Sequence, residues 1–203
     1  MSDSKHTCRL ELLSPDQTSK VAAELGVPPQ LADLNIFRAL LHRPRVAKAI
    51  HELLYSQLFG GALDGRLREL VIMRIGWVTG SNYEWTQHWT VAQMLFGCSP
   101  DDLLAVRDWQ SSKRFGEAER AVLAATDETL ESGTLSAETW ALCLEHLGSA
   151  DACVELVTAM ATWRLISQVA RSLEIPLEDG VASWPPDGVA SVGMRRDQSP
   201  VPI

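Results

Sequence analysis

The stretch Tyr83-Glu84-Trp85-Thr86-Gln87-His88-Trp89 places a carboxyl group and an imidazole four residues apart. On a helix Glu84 and His88 share one face and can hydrogen-bond. A carboxylate beside an imidazole raises its basicity and fixes its orientation, so such a pair can move protons near neutral pH. A second acid, Glu69, stands upstream beside Arg68, a cation suited to holding an anionic group. Taken alone, each feature also has a structural reading. A Glu–His pair at this spacing is often a surface contact worth about 0.2–0.5 kcal/mol. Arg68 and Arg74 read as members of structural ion pairs. Trp77, Tyr83, Trp85 and Trp89 read first as core or interface residues and second as substrate wall.

For Glu69 to meet His88 the chain must reverse between them, and it carries the signals to do so. Asp64 caps a predicted helix bearing Leu67, Leu70, Val71, Arg74, Ile75 and Val78, which ends at Gly80. Ser81 or Asn82 opens the next helix and Gly97 closes it. A tight turn at Gly80 makes the two an antiparallel hairpin. Glu69 lies eleven residues before Gly80 and His88 eight after it. At a rise of about 1.5 Å per residue their depths below the turn differ by only about 4–5 Å. Glu69, His88 and Glu84 are therefore expected to form a connected proton relay, with Arg68 close by.

The rest of the chain is punctuated the same way. Ser14-Pro15-Asp16 starts a helix that Gly26-Val27-Pro28-Pro29 stops. A second helix is predicted over 31–41, closed by His42-Arg43-Pro44. A third spans 44–59, with Val46, Ile50, Leu53 and Leu54 on its apolar stripe. Ser99-Pro100-Asp101-Asp102 starts another, and further helices are predicted over 117–131, 137–147 and 150–173. Strand alternation appears over no useful length. The fold class is all-α: one helical domain over 1–175 and an irregular tail over 176–203. Ile175, at the boundary, and Val181 and Trp184, in the tail, are expected to pack on the body or on a neighbouring subunit.

Bulk properties narrow the function classes. The chain has 203 residues, 46% hydrophobic and 22% charged, with a formal net charge of −8. That balance argues against nucleic acid and anionic lipid surfaces as partners. Its densest basic cluster, Arg43, Arg45 and Lys48, lies within apolar helical sequence. Arg74 interrupts the run Val71-Ile72-Met73, so no membrane span is expected. The start, Met1 to His6, carries no apolar secretion segment, and the expected location is the cytoplasm. Cys8, Cys98, Cys143 and Cys153 form no C-x-x-C pair and no metal-ligand spacing, so they read as reduced, buried thiols. No cofactor and no metal are expected.

Residues 37–106 resemble the carboxymuconolactone decarboxylase and alkyl hydroperoxidase D superfamily. The resemblance rests on Phe37-Arg38-Ala39-Leu40-Leu41-His42-Arg43-Pro44 and on Leu63 to Val71, which contains Arg68-Glu69-Leu70-Val71. It continues through Gly80-Ser81-Asn82-Tyr83-Glu84-Trp85-Thr86-Gln87-His88 and Gly97-Cys98-Ser99-Pro100-Asp101-Asp102. The combination is specific where each piece alone is weak. The hydroperoxidase branch carries a glutamate, a C-x-x-C pair, and a histidine four residues after the second cysteine. Carried over, the glutamate falls on Glu69, the histidine on His88, and the cysteines on Ser81 and Glu84. Neither can form a disulfide, so thiol peroxidase activity is expected to be absent. The decarboxylase branch has a carboxylate and a histidine at the positions of Glu84 and His88. It implies a compact helical bundle, acid–base chemistry on a lactone or carboxylic acid, and a homo-oligomer, trimer or hexamer. It also implies a site in which Arg68, Tyr83, Trp85 and His42 contact a small-molecule substrate.

The leading reading is thus a cofactor-free lyase or isomerase with His88, Glu84 and Glu69 as its catalytic residues. A thiol-dependent peroxidase, a metal site built from Glu69, Glu84 and His88, and a noncatalytic assembly protein are the competing readings. His51 and His146 read as solvated or locally bonded. Cys143 and Cys153 read as buried packing in preference to a disulfide.

Overall fold

A computed structural model describes residues 8–183, 187–191 and 193; Trp184 lies outside them. Ten α-helices follow in order: α1 (Pro15–Leu25), α2 (Pro29–Ala32), α3 (Asn35–Leu40), α4 (Pro44–Leu58), α5 (Gly65–Thr79), α6 (Asn82–Phe96), α7 (Pro100–Ala105), α8 (Glu117–Ser132), α9 (Ala137–Leu147) and α10 (Ala150–Ser172). A short 3-10 turn, Val106–Asp108, follows α7. No strand occurs among the described residues, and none of their helices is long and apolar enough to cross a membrane.

The helix limits follow from side chains that serve the otherwise unpaired terminal N–H groups. Ser14 and Ser99 each form a capping box, with Gln17 and Asp102 respectively. The Asp64 carboxylate accepts from the N–H groups of Arg66 and Leu67. Gly80 closes α5 at φ 76°, a left-handed conformation that glycine adopts without strain.

α5 is the central helix, packed against α6, α8 and α10. Leu70, Val71, Ile72, Met73 and Ile75 are fully enclosed, so this helix is apolar nearly all round. Its closest neighbour is α6, and Gly76 makes the approach possible. A Cβ at position 76 would lie 3.3 Å from the Trp85 backbone nitrogen. Arg74 fastens α5 to α8 through two bonds to Asp127, at 2.6 and 2.9 Å, and donates to the carbonyls of Val106 and Arg107. This is the structural ion pair expected of it.

Two expected elements differ in the structure. The helix predicted over 31–41 is divided, with Leu34 extended at ψ 136°. The cause comes from the far end of the chain. Glu178 accepts the Asn35 N–H at 2.9 Å, the donor that an unbroken helix would spend on the Leu31 carbonyl. On α4, Val46 and Leu53 are exposed, and the inward face carries Ala47, Ile50, His51, Leu54, Gln57 and Leu58. The apolar stripe is rotated because polar side chains occupy inward positions. One of them, Gln57, donates to Thr162 Oγ1 on α10.

After α10 the chain returns across α3 and the start of α6. Ile175 packs into the cluster around Ile36, Phe37 and Tyr83, while Val181 remains exposed. Ser183 donates to Asn82 Oδ1, and Asp187 pairs with Arg107.

Candidate active site

The hairpin register brings the first pair together. Glu69, with 0% of its surface exposed, places Oε2 2.8 Å from His88 Nδ1. The other ring nitrogen, Nε2, accepts from the Trp163 indole N–H at 3.2 Å, the two rings meeting edge-on. An indole nitrogen only donates, so Nε2 must hold a lone pair toward it. In the neutral ring the proton therefore sits on Nδ1, facing Glu69. The hydrogen bond expected between Glu84 and His88 within α6 gives way to these two, made by groups from α5 and α10. His88 keeps 15% of its side chain exposed.

Burial disfavours a charged His88, but the Glu69 carboxylate outweighs it through charge and hydrogen bond. Glu84 adds to this and Arg68 opposes it, leaving the imidazole's pKa above its ordinary value. The Trp163 donor acts the other way, since a proton on Nε2 would face its N–H.

Glu84 is 5% exposed, and its Oε2 is buried without a hydrogen-bond partner. Burial is the main cause that lifts its pKa from 4.5 to about 7; His88 lowers it and Glu69 raises it further. Such a carboxyl is present in both protonation states at neutral pH and can give or take a proton.

Arg68 is 4% exposed, donates to the Gln57 carbonyl at 3.0 Å and lies 4.6 Å from the centre of the Phe96 ring. Its Nη2 is 3.7 Å from Glu69 Oε1, so its nearest anion is internal. Arg68 Nε and Nη2, Glu69 Oε1, Glu84 Oε2 and Gln57 Oε1 are all buried without hydrogen bonds. Buried polar atoms are nearly always paired. They lie on α4, α5 and α6, so this buried region holds donors and acceptors that no protein group pairs.

The remaining candidates are placed differently. The Tyr83 hydroxyl is buried, donating to Glu178 Oε1 at 2.6 Å and accepting from the Ile36 N–H at 3.3 Å. Burial and then Glu178 hold its pKa above the ordinary 10. Trp85 is in the core against Trp77, with ring centres 5.3 Å apart. His42 is exposed, with Nε2 2.8 Å from the Glu11 carbonyl oxygen, and is not part of the buried group. His51, expected to be solvated or locally bonded, is instead buried on α4 with Nε2 unpaired. Its place on the inward face, one turn after Ala47, explains this. His146 on α9 stands 3.8 Å from Glu117 on α8.

Sequence reasoning missed Trp163, Gln57 and Glu178. Trp163 lies 75 residues from its partner, and the Glu178 carboxylate binds Tyr83 and Gln87 together. Neither had a local motif to mark it. All four cysteines are free, Cys143 and Cys153 buried as expected. Burial pushes the thiols of Cys98 and Cys143 up to about 11, away from the thiolate form. Among the described residues no group of three His, Cys, Asp or Glu is arranged to hold a metal ion.

Residues 44–128, from the start of α4 into α8, match the model of the Carboxymuconolactone decarboxylase family. This span contains Glu69, Glu84 and His88. A peroxidase-related protein from Silicibacter sp. TM1040 has a similar structure at TM-score 0.72 and 14% identity, over 89% of this chain and 97% of that one. The chain therefore resembles the Carboxymuconolactone decarboxylase family over residues 44–128 and has an AhpD-like fold. Two further solved structures are similar. The alkylhydroperoxidase AhpD core protein from Ralstonia eutropha JMP134 has TM-score 0.69 at 15% identity, covering 85% and 93% of the two chains. The debrominase Bmp8, solved with 2,3,4-tribromopyrrole, has TM-score 0.67 at 20% identity, covering 87% and 95%. These likenesses bear on the fold. Curated protein sequences give no match.

Proposed function

We propose that this protein is a cofactor-free enzyme of lyase (decarboxylase) or isomerase type, acting on a lactone or carboxylic acid. Glu84 is its proton-transfer group. The observation that carries this reading is a buried carboxyl with one unpartnered oxygen and a pKa of about 7, next to an imidazole tied to Glu69 and Trp163.

Loss of carbon dioxide from such a substrate, or removal of a proton beside its carbonyl, leaves an enolate. Protonated Glu84 delivers its proton to the carbanionic carbon, and ionised Glu84 removes one in the reverse sense. His88 acts as a positioning residue, its Nε2 lone pair engaged by Trp163 and its Nδ1–H held by Glu69. Arg68 Nε, which has no hydrogen-bond partner, is the group offered to a substrate carboxylate, with Nη2 beside Glu69. Trp85 and His42 are assigned structural roles, and Tyr83 anchors the returning tail.

The absent C-x-x-C pair and the raised thiol pKa values weigh against a peroxidase or thiol-dependent reaction. A small molecule is the proposed partner, in a homo-oligomer, trimer or hexamer, in the cytoplasm. The exposed Val46, Leu53 and Tyr55 of α4 and Phe59 just after it, with Met94 and Leu95 of α6, support an assembly that covers them.

The test incubates the purified chain with carboxymuconolactone, simpler unsaturated lactones and β-keto acids in deuterated water, following carbon dioxide release and deuterium uptake. Turnover is expected to fall by about 10²–10⁴ in Glu84→Gln, the range typical of a lost general acid or base. A substrate turned over equally well by wild type and Glu84→Gln would remove the proposal.

A further inference from the structure

We propose that Glu178, in the segment after α10, is a positioning residue for the Glu84 site: its carboxylate clamps the first two turns of α6 and so holds Glu84 in its enclosed position. The inference rests on the reading of Glu84 as the proton-transfer group.

The start of α6 is not fixed by a cap of its own. Ser81, the N-cap residue, makes no side-chain capping bond, the contact that ordinarily secures a helix start. Support arrives instead from the returning chain. Glu178 Oε1 accepts from the Tyr83 hydroxyl at 2.6 Å and from the Asn35 N–H at 2.9 Å, while Oε2 accepts from the Gln87 side-chain amide. Ser183 adds a bond to Asn82 Oδ1 at 2.9 Å. The Tyr83 hydroxyl also accepts from the Ile36 N–H, so one carboxylate ties α3, α6 and the tail together. Hydrogen bonds to an ionised acceptor are the stronger kind.

The two α6 donors are placed where they govern the site. Tyr83 and Gln87 are four residues apart and share a face of the helix. Each stands directly before a site residue, Glu84 or His88. Fixing that face fixes the rotation of α6, and with it the direction in which Glu84 and His88 project. Near the same turns α5 presses close, since a Cβ on Gly76 would lie 3.3 Å from the Trp85 nitrogen. The first two turns of α6 are therefore held by α5 and by the tail.

Glu84 is sensitive to this hold. Burial is the main cause of its raised pKa, and the charges acting on it come from His88 and Glu69, not from the tail. Slack in α6 would let water reach the carboxyl and favour its ionised form. Glu178 thus acts on Glu84 through the placement of the helix.

The test is a carbon NMR titration of the Glu84 carboxyl in the full chain, in wild type, Glu178→Ala, Glu178→Gln and Arg9→Ala. In Glu178→Ala the midpoint is expected to fall by about one pH unit or more, a tenfold loss of proton affinity. Glu178→Gln keeps an oxygen for Tyr83 and Asn35, and the Gln87 amide can turn its own oxygen toward the new N–H, so the wild-type midpoint is expected. An equal fall in Glu178→Gln would make the effect one of charge and overturn the proposal. Arg9→Ala removes a different tail contact, the pair with Glu174 at 2.9 Å, and should leave the midpoint where it was. A fall there as large as in Glu178→Ala would mean general loosening and would also overturn it. If Glu178→Ala does not fold, Gln87→Leu breaks one bond of the clamp and carries the comparison, with a fall in the same direction expected. A wild-type midpoint near 7 that neither variant moves overturns the clamp and leaves the role of Glu84 standing. A wild-type midpoint near 4.5 removes both.

Discussion

Replacing Glu84 by Gln should make the protein more stable in mild alkali, and the gain should vanish in acid. Glutamine keeps the shape of the protonated acid but cannot ionise. The Glu84 pKa rises from 4.5 in the unfolded chain to about 7 in the folded one. The folded state therefore holds this proton more tightly. Below pH 4.5 both states are protonated and the site is neutral toward stability. As pH climbs from 4.5 to 7 the folded state must either keep the proton or bury a charge, and stability falls; above 7 the penalty is constant. At about 1.4 kcal/mol per tenfold change in proton affinity, the penalty above pH 7 is about 3 kcal/mol. For a chain of this size that corresponds to a melting-temperature difference of about 5–10 °C. The assay is urea unfolding of both proteins, followed by tryptophan fluorescence at pH 5, 6, 7 and 8. The advantage of Glu84→Gln should grow by about 2–3 kcal/mol from pH 5 to pH 8. A difference independent of pH, or a variant less stable than wild type at pH 8, would refute the claim that burial controls this carboxyl.

Other outcomes follow from neighbouring contacts. Trp163→Phe removes the donor to His88 Nε2 and should raise the imidazole's pKa further, read by nitrogen NMR, while costing about 1–2 kcal/mol of stability. Gly76→Ala should destabilise the protein in urea melts, even though alanine is favoured over glycine in a helix by about 1 kcal/mol, because its Cβ meets the Trp85 backbone at 3.3 Å. The exposed apolar side chains of α4 and α6 should be covered by self-association: light scattering should give a trimer or hexamer, and Phe59→Glu with Leu95→Glu should lower the mass toward one chain.

Much of the fold could be read from residues that act within a few positions of themselves. Ser14, Asp64 and Ser99 mark helix starts, and Gly80 and Gly97 mark stops, through bonds to adjacent backbone. The Glu69–His88 contact was legible for the same reason: Gly80 sets the turn, and helix geometry sets the depth. Features formed by distant segments were not legible. The break at Leu34 depends on Glu178, and the inward turn of His51 and Gln57 depends on how α4 meets α10. The tautomer of His88 depends on Trp163, which no spacing rule links to it. The same contact shifts the weight of the proposed chemistry from His88 to Glu84.

The most direct measurement is a carbon NMR titration of the Glu84 side-chain carboxyl in the folded protein, assigned by comparison with Glu84→Gln. A midpoint near 7 is predicted, moving when Glu69 is replaced by Gln. A midpoint at the ordinary 4 to 5 would mean the carboxyl is an exposed, ionised group at neutral pH, and the proton-transfer role assigned to it would fail.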